Sequence, residues 1–186
     1  MLSRRNIYNR LLNSAILRYY KVDFSKSLIV NGILKVSSRG RIIIGNNVTI
    51  NSSARSNFVG LGNFSAIVCS KGATICIKDG CQISNSLIFA RKDIIIGSNV
   101  FIGGGCQILD SDFHPLVSHE RISRGNKGTA LPVIIHENVF IGANSIILKG
   151  VEVHANSIIA AGSVVTKDIG PDEIWGGNPA KFIKKN

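Results

Sequence analysis

Aromatic residues are scarce, 6% of the 186 positions with a single Trp, and acids are half as numerous as bases, 11 against 22. The net charge of +11 would suit a nucleic-acid partner, but no aromatic platform is interleaved with the basic residues, so that class is set aside. The excess is also local. Residues 1–41 carry nine Lys or Arg (Arg4, Arg5, Arg10, Arg18, Lys21, Lys26, Lys35, Arg39, Arg41) against Asp23 alone, which suits a patch facing a membrane or an anionic substrate. The four cysteines, Cys69, Cys76, Cys81 and Cys106, form no CxxC pair and sit in apolar, strand-like contexts. They read as free buried thiols in a reducing cytoplasm, not as disulfides or zinc ligands. No apolar run approaches the length of a membrane span, and Asn and Arg interrupt the N-terminal stretch where a secretory signal would be continuous. A cytoplasmic protein is expected, peripheral at most to the inner membrane face.

What is abundant is Gly, Ile, Val, Ser and Asn, a mixture for short strands and tight turns. These residues are ordered in sixes. From residue 135 the register is unbroken: Ile135-His-Glu-Asn-Val-Phe, Ile141-Gly-Ala-Asn-Ser-Ile, Ile147-Leu-Lys-Gly-Val-Glu, Val153-His-Ala-Asn-Ser-Ile, Ile159-Ala-Ala-Gly-Ser-Val, then Val165. The unit recurs upstream from Ile44, Ile50, Ile77, Ile83, Ile96 and Ile102, with less regular units at 52–75 and 86–95. A period of six is neither helical nor a plain alternation. It fits a short strand and a corner, the first and fifth side chains pointing inward and Gly or Asn taking the turn. Three units close a triangular coil of about eighteen residues, and coils stack at roughly 4.8 Å.

Three segments fall outside the repeat. Residues 1–24 place Ile7, Leu11, Leu12, Ala15, Ile16 and Tyr19 at helical spacing among Arg4, Arg5, Arg10 and Arg18. This is read as an amphipathic basic helix that caps the open coil or, less favoured, lies on a membrane surface. Residues 110–132 interrupt the coil domain (25–168) with a polar loop, the kind of excursion from a rigid scaffold that carries function. Residues 169–186 form a basic C-terminal extension.

The loop holds His114 within Asp110-Ser-Asp-Phe-His-Pro. Histidine is suited to proton transfer near neutrality, and a carboxylate on its other ring nitrogen would fix the tautomer; Asp110 and Asp112 are the nearest, Asp110 slightly preferred. His119 shares the loop; His136 and His154 take outward positions of the repeat and read as surface residues. Arg91, Lys92 and Asp93 interrupt the register and suit either a solvated corner or an acceptor contact. Trp175 is read as covering the coil end.

The hexapeptide pattern, the loop His114-Pro115 and the stretch Ala160-Ala-Gly-Ser-Val-Val-Thr-Lys-Asp-Ile, continuing to Gly176-Gly-Asn-Pro-Ala-Lys, resemble the hexapeptide-repeat acetyltransferases, in particular the galactoside, maltose and polysaccharide O-acetyltransferases. The resemblance implies an all-β, left-handed parallel β-helix, a hand that periodicity does not supply. It also implies His114 as general base and acetyl-CoA as cosubstrate, with no metal. The matching cofactor positions are Gly142, Ala143, Ala161, Thr166, Lys167, Lys181 and Lys184: small residues admit the pantetheine arm, a backbone N–H near Gly142 meets the oxyanion, and the lysines meet the phosphates. Lys stands at 181 and 184 where relatives often carry Arg, so the bidentate fork is lost. A homotrimer with active sites between subunits is implied, and the expected acceptor is a sugar hydroxyl of a polysaccharide or glycan precursor. N-acetylation of an amino sugar, a carbonic-anhydrase-like metal site using His114 and His119, and a non-catalytic binding module are the alternatives. No histidine precedes residue 114 to complete such a metal site.

Overall fold

The computed structural model describes residues 4–59, 64–123 and 128–186, with side chains from residue 7 onward. After helix α1 (Arg4–Tyr19) the chain winds through six coils, each giving one strand to each of three faces. The coils are β1 (Asp23–Phe24), β2 (Ile29–Gly32) and β3 (Lys35–Ser38); β4 (Arg41–Ile44), β5 (Thr49–Ser52) and β6 (Ala66–Cys69); β7 (Thr74–Ile77), β8 (Gln82–Ser84) and β9 (Leu87–Ala90); β10 (Asp93–Ile96), β11 (Phe101–Ile102) and β12 (Gln107–Leu109); β13 (Val133–Ile135), β14 (Phe140–Ile141) and β15 (Ile146–Ile147); and β16 (Glu152–Val153), β17 (Ile158–Ile159) and β18 (Val164–Val165). The short helix α2 (Ser118–Ile122) lies between β12 and β13. The second face extends past β17 into the hairpin β19 (Glu173–Gly177) and β20 (Ala180–Lys185), so the C-terminal extension is itself a pair of strands. Between the last two coils Ile134 pairs with Glu152, Phe140 with Ile158 and Ile146 with Val164, a constant step of 18 residues.

Stacking makes the core. Ile44, Ile77, Ile96, Ile135 and Val153 form one buried column, and Ile50, Ile83, Ile102, Ile141 and Ile159 a second. Each such side chain contributes roughly 1.5–3 kcal/mol by leaving water. The corners take the backbone through the left-handed region, which Asn and Gly tolerate. Asn138 and Asn156 lie at φ 59° and 60°, and Asn138 Nδ2 donates to Asn156 Oδ1 at 3.0 Å, an amide ladder along the corner.

Both ends of the prism are closed. Asn13, Leu17 and Val22 seat α1 and its exit on the first coil: Asn13 Nδ2 donates to Gly32 O at 2.9 Å and its Oδ1 accepts Leu34 N at 3.0 Å. The opposite face of α1 leaves Ile7, Tyr8, Leu11 and Tyr19 exposed. No described helix is long and apolar enough to cross a membrane. At the other end Trp175 packs against the core and its Nε1 donates to Glu173 Oε2 at 2.8 Å.

The prism carries two excursions. The loop at 110–132 leaves the corner between the third and first faces. The second, at 53–65 between β5 and β6, leaves the corner between the second and third faces and appears in the sequence only as the irregular units at 52–75. Asn85 Nδ2 donates to Asn57 O at 2.9 Å and ties the second excursion to the corner above it.

Candidate active site

The 110–132 loop is closed at its base. Ser111 bridges Ala130 in antiparallel fashion, Asp112 N donates to Thr129 O at 2.9 Å, and Leu131 N donates to Asp110 O at 2.9 Å. Gly128 lets the two sides of this neck meet: a Cβ there would fall 2.3 Å from Asp112 O and 2.6 Å from His114 O. Phe113 packs on Phe89 of the third face, ring centroids 4.8 Å apart, and Pro115 is buried. His114 therefore stands between two anchored neighbours with its own side chain exposed, a position from which a ring nitrogen can meet a substrate.

The two carboxylates near it are engaged elsewhere. Asp110 is fully buried and accepts Arg91 N at 2.8 and 2.9 Å and Lys92 N at 2.6 Å, holding the 91–92 corner. Burial pushes its carboxyl above the usual range, against the pull of those backbone donors. Asp112 pairs with Lys149 at 2.9 Å, and its carbonyl accepts Arg91 Nη1 at 3.1 Å. Among the described residues no hydrogen bond joins His114 to either carboxylate. Arg91 and Lys92, read as corner or acceptor-contact residues, thus brace the base of the loop. His119 lies exposed on α2, in the same loop.

The cofactor positions divide. Gly142, Ala143 and Ala161 come together at the corner between the second and third faces, one coil apart: Gly162 N donates to Ala143 O at 2.8 Å, and a Cβ on Gly142 would fall 2.5 Å from Ala161 N. Gly142 N donates to Ile159 O at 2.8 Å, so that amide is taken by the sheet. Among the described residues the amides of Ala143 and Ala161 donate no hydrogen bond, and each N lies over the glycine of the coil below, Gly103 and Gly142. Lys181 belongs to the top of this corner: it pairs with Gly176, where a Cβ would meet Ala160 at 3.0 Å, and Gly177 N donates to Ser163 Oγ at 3.2 Å. Lys184 lies further along the hairpin opposite Ile174, and Thr166 and Lys167 follow β18 toward the next corner, all three exposed. The structure does not gather these into one cluster within a single chain.

Sequence reasoning missed Asn85. It lies lower on the same second–third corner, at φ 42°, with its Oδ1 buried and, among the described residues, without a partner. An Asn in the turn position looks like any other corner residue. The buried unpaired oxygen emerges only when the 53–65 excursion is folded against it.

Stacked triangular coils of six-residue units with a looped-out histidine define a class, the hexapeptide-repeat left-handed parallel β-helix. Residues 132–167 match the family described as the hexapeptide repeat of succinyl-transferase. A Saccharomyces cerevisiae protein named as a candidate acetyltransferase is 37% identical over 118 residues, 63% of this chain and 59% of its own. The chain thus spans less than two thirds of the curated relatives it matches first. Among solved structures, a maltose O-acetyltransferase from Clostridium difficile superposes with TM-score 0.63 at 25% identity, covering 98% of this chain and 89% of that one. AntD, an N-acyltransferase from Bacillus cereus solved with dTDP-4-amino-4,6-dideoxyglucose and coenzyme A, superposes with TM-score 0.73 at 21% identity, covering 93% and 88%. In repeat and in fold the chain resembles the hexapeptide-repeat acetyltransferases.

Proposed function

We propose that the chain is an acetyl-CoA-dependent O-acetyltransferase acting on a sugar hydroxyl of a polysaccharide or glycan precursor, with His114 as general base. The observation that carries this reading is the placement of one exposed histidine on a braced excursion, in a prism whose second–third corner offers small side chains and, among the described residues, two amides without a hydrogen bond. His114 takes the acceptor hydroxyl's proton as its oxygen bonds to the thioester carbonyl carbon. The tetrahedral oxyanion is met by a backbone N–H, for which Ala143 and Ala161 replace Gly142. The C–S bond then breaks, and the proton passes from the imidazolium to the departing thiolate. Lys181 supplies a charge for the nucleotide phosphates.

His114 and the amide pair stand on different corners of one prism, at opposite edges of the third face. A complete site then takes the loop of one copy and the corner of the next, as in a cyclic trimer. The neighbouring Phe101 and Phe140, 43% and 47% exposed on the second face, give such an assembly an apolar patch to cover. Residues 1–24 suit a peripheral position at the inner membrane face: α1 keeps Ile7, Leu11 and Tyr19 exposed beside Arg10 and Arg18.

A second reading, N-acetylation of an amino sugar, is favoured by the likeness to AntD. Thiol release from acetyl-CoA across a panel of sugars and amino sugars separates the two. His114→Ala is expected to lower turnover by about 10²–10⁴-fold with coenzyme A affinity unchanged. Turnover that survives the substitution defeats the assignment.

A further inference from the structure

The corner between the first and second faces carries a cluster that acetyl transfer does not use. His136 follows β13 and His154 follows β16, so the step of the coil sets one imidazole over the other, centroids 5.0 Å apart and planes 8° from parallel. Glu152, outward on β16, meets His136 Nε2 at 2.7 Å. Candidate ligand atoms from the three residues all lie within 4.8 Å of one another. Gly97 and Gly170 occupy the same place in the coils on either side and add no side chain over the ring pair. An ordinary His–Glu hydrogen bond accounts for His136 and Glu152. It does not account for a second imidazole presented beside them.

The surroundings favour a cation. Although the chain is basic overall, five of its 11 acids (Glu137, Glu152, Asp168, Asp172, Glu173) fall within residues 137–173. Asp168 Oδ1 accepts Glu152 N at 2.8 Å, and Asp172 Oδ1 accepts Asn156 Nδ2 at 2.9 Å on the same corner. Two imidazoles and one carboxylate form a borderline donor set, better matched to zinc and its neighbours than to the all-oxygen preference of magnesium or calcium.

We propose that His136, Glu152 and His154 form a binding site for a divalent transition-metal ion, with water completing the coordination. Tetrahedral ligation puts ligand atoms about 3.3 Å apart, so on binding the half-exposed side chains rotate: His136 and Glu152, now at 2.7 Å, open slightly, and the wider pairs close by up to about 1.5 Å. The site lies on a different corner from both His114 and the Ala143–Ala161 amides, so it requires neither coenzyme A nor acceptor.

Zinc chloride titrated calorimetrically into the full chain, in a non-chelating buffer, tests this directly. One saturable site per chain is expected, and cobalt(II) in its place should show the visible ligand-field bands of a low-coordinate ion. His154→Ala and Glu152→Gln should each weaken zinc binding at least tenfold, whereas His119→Ala should leave it unchanged. Far-UV circular dichroism checks each variant's fold, and the half-exposed Glu152→Gln decides the matter if His154→Ala unfolds. Absence of saturable binding, or affinity indifferent to both substitutions, overturns the site. Because the titration contains no coenzyme A, its failure says nothing about acetyl transfer, and a failed transfer assay says nothing about the metal.

Discussion

Replacing Asp110 by Asn separates a carboxylate that builds the site from one that takes part in its chemistry. The side chain is fully buried, and its two oxygens accept the amides of Arg91 and Lys92 at 2.6–2.9 Å. Asn has the same shape but only one acceptor oxygen, and its NH₂ must face a backbone N–H. With its oxygen in the Oδ2 place Asn still accepts both amides, but its NH₂ then opposes Arg91 N–H across 2.8 Å, at about 1–3 kcal/mol, and the bonds that remain are no longer charge-assisted. Burial already disfavours the charged carboxylate, which offsets part of the loss. The net expectation is about 2–3 kcal/mol, or roughly 4–12 °C in Tm for a chain of this size. Asp112→Asn serves as control: its partly exposed pair with Lys149 should cost no more than about 1 kcal/mol. Thermal unfolding followed by circular dichroism reads both. The reasoning fails if Asp110→Asn melts with the parent while the pH profile of acetyl transfer shifts. That outcome would make Asp110 the partner of His114 after all.

Two further outcomes follow from groups outside the loop. Burial pushes the Cys81 thiol up to about 11, and its Sγ donates to Gly97 O at 3.0 Å. Cys69 and Cys106 are buried as well, with their thiols also raised by desolvation, so a disulfide reagent at pH 8 should modify only the half-buried Cys76 until the chain is unfolded. Rapid modification of two or more thiols in the folded chain would contradict this. Glu173 is lowered below 4.5 chiefly by the Trp175 indole N–H and then by Lys185. A depressed carboxyl stabilises the fold above its unfolded pKa and loses that contribution as pH falls through the folded value. Glu173→Gln should therefore melt earlier than the parent at neutral pH and converge with it only as pH falls through the depressed folded value; a gap that persists in stronger acid would place the effect elsewhere.

The repeat made the prism legible because each Ile-to-Ile step of six states the same local fact, and neighbouring coils must agree on register for any one of them to be buried. The irregular stretch after Ser52 was harder. An excursion has no period, and only the fold shows Asn57 meeting Asn85 across 28 residues of chain. The resemblance, and not spacing, singled out His114 and the trio Gly142, Ala143 and Ala161. It could not assign Asp110, whose partners Arg91 and Lys92 lie one coil back, nor show that Gly142 N is occupied by Ile159 O while Ala143 N donates no hydrogen bond among the described residues. His136 and His154 read singly as surface residues, and both are half-exposed. Their significance lies in the distance between them, which the 18-residue step fixes and no single hexapeptide contains.

The placement of His114 on one corner and the Gly142–Ala143–Ala161 corner on another makes a quantitative demand on mixtures. Let one variant be His114→Ala, which keeps its corner, and the other Gly142→Val, which keeps its histidine. In the second, a side chain is driven into the Ala161 backbone, where even a Cβ would fall 2.5 Å from N and 2.8 Å from Cα. Each homo-oligomer should be inactive. If a site draws its histidine from one copy and its corner from the next, random reassembly of equal amounts makes about one site in four from two intact parts, whatever the size of the ring. Co-refolded mixtures should then recover about a quarter of the parent rate, rising and falling with the product of the two fractions. If a single chain supplied both parts, every site in every mixture would carry one lesion and no rate would return. Unfolded Gly142→Val would also return none, so its melting curve must first match a β-helix; Ala143→Val, one residue along on the same corner, provides the second partner for the cross.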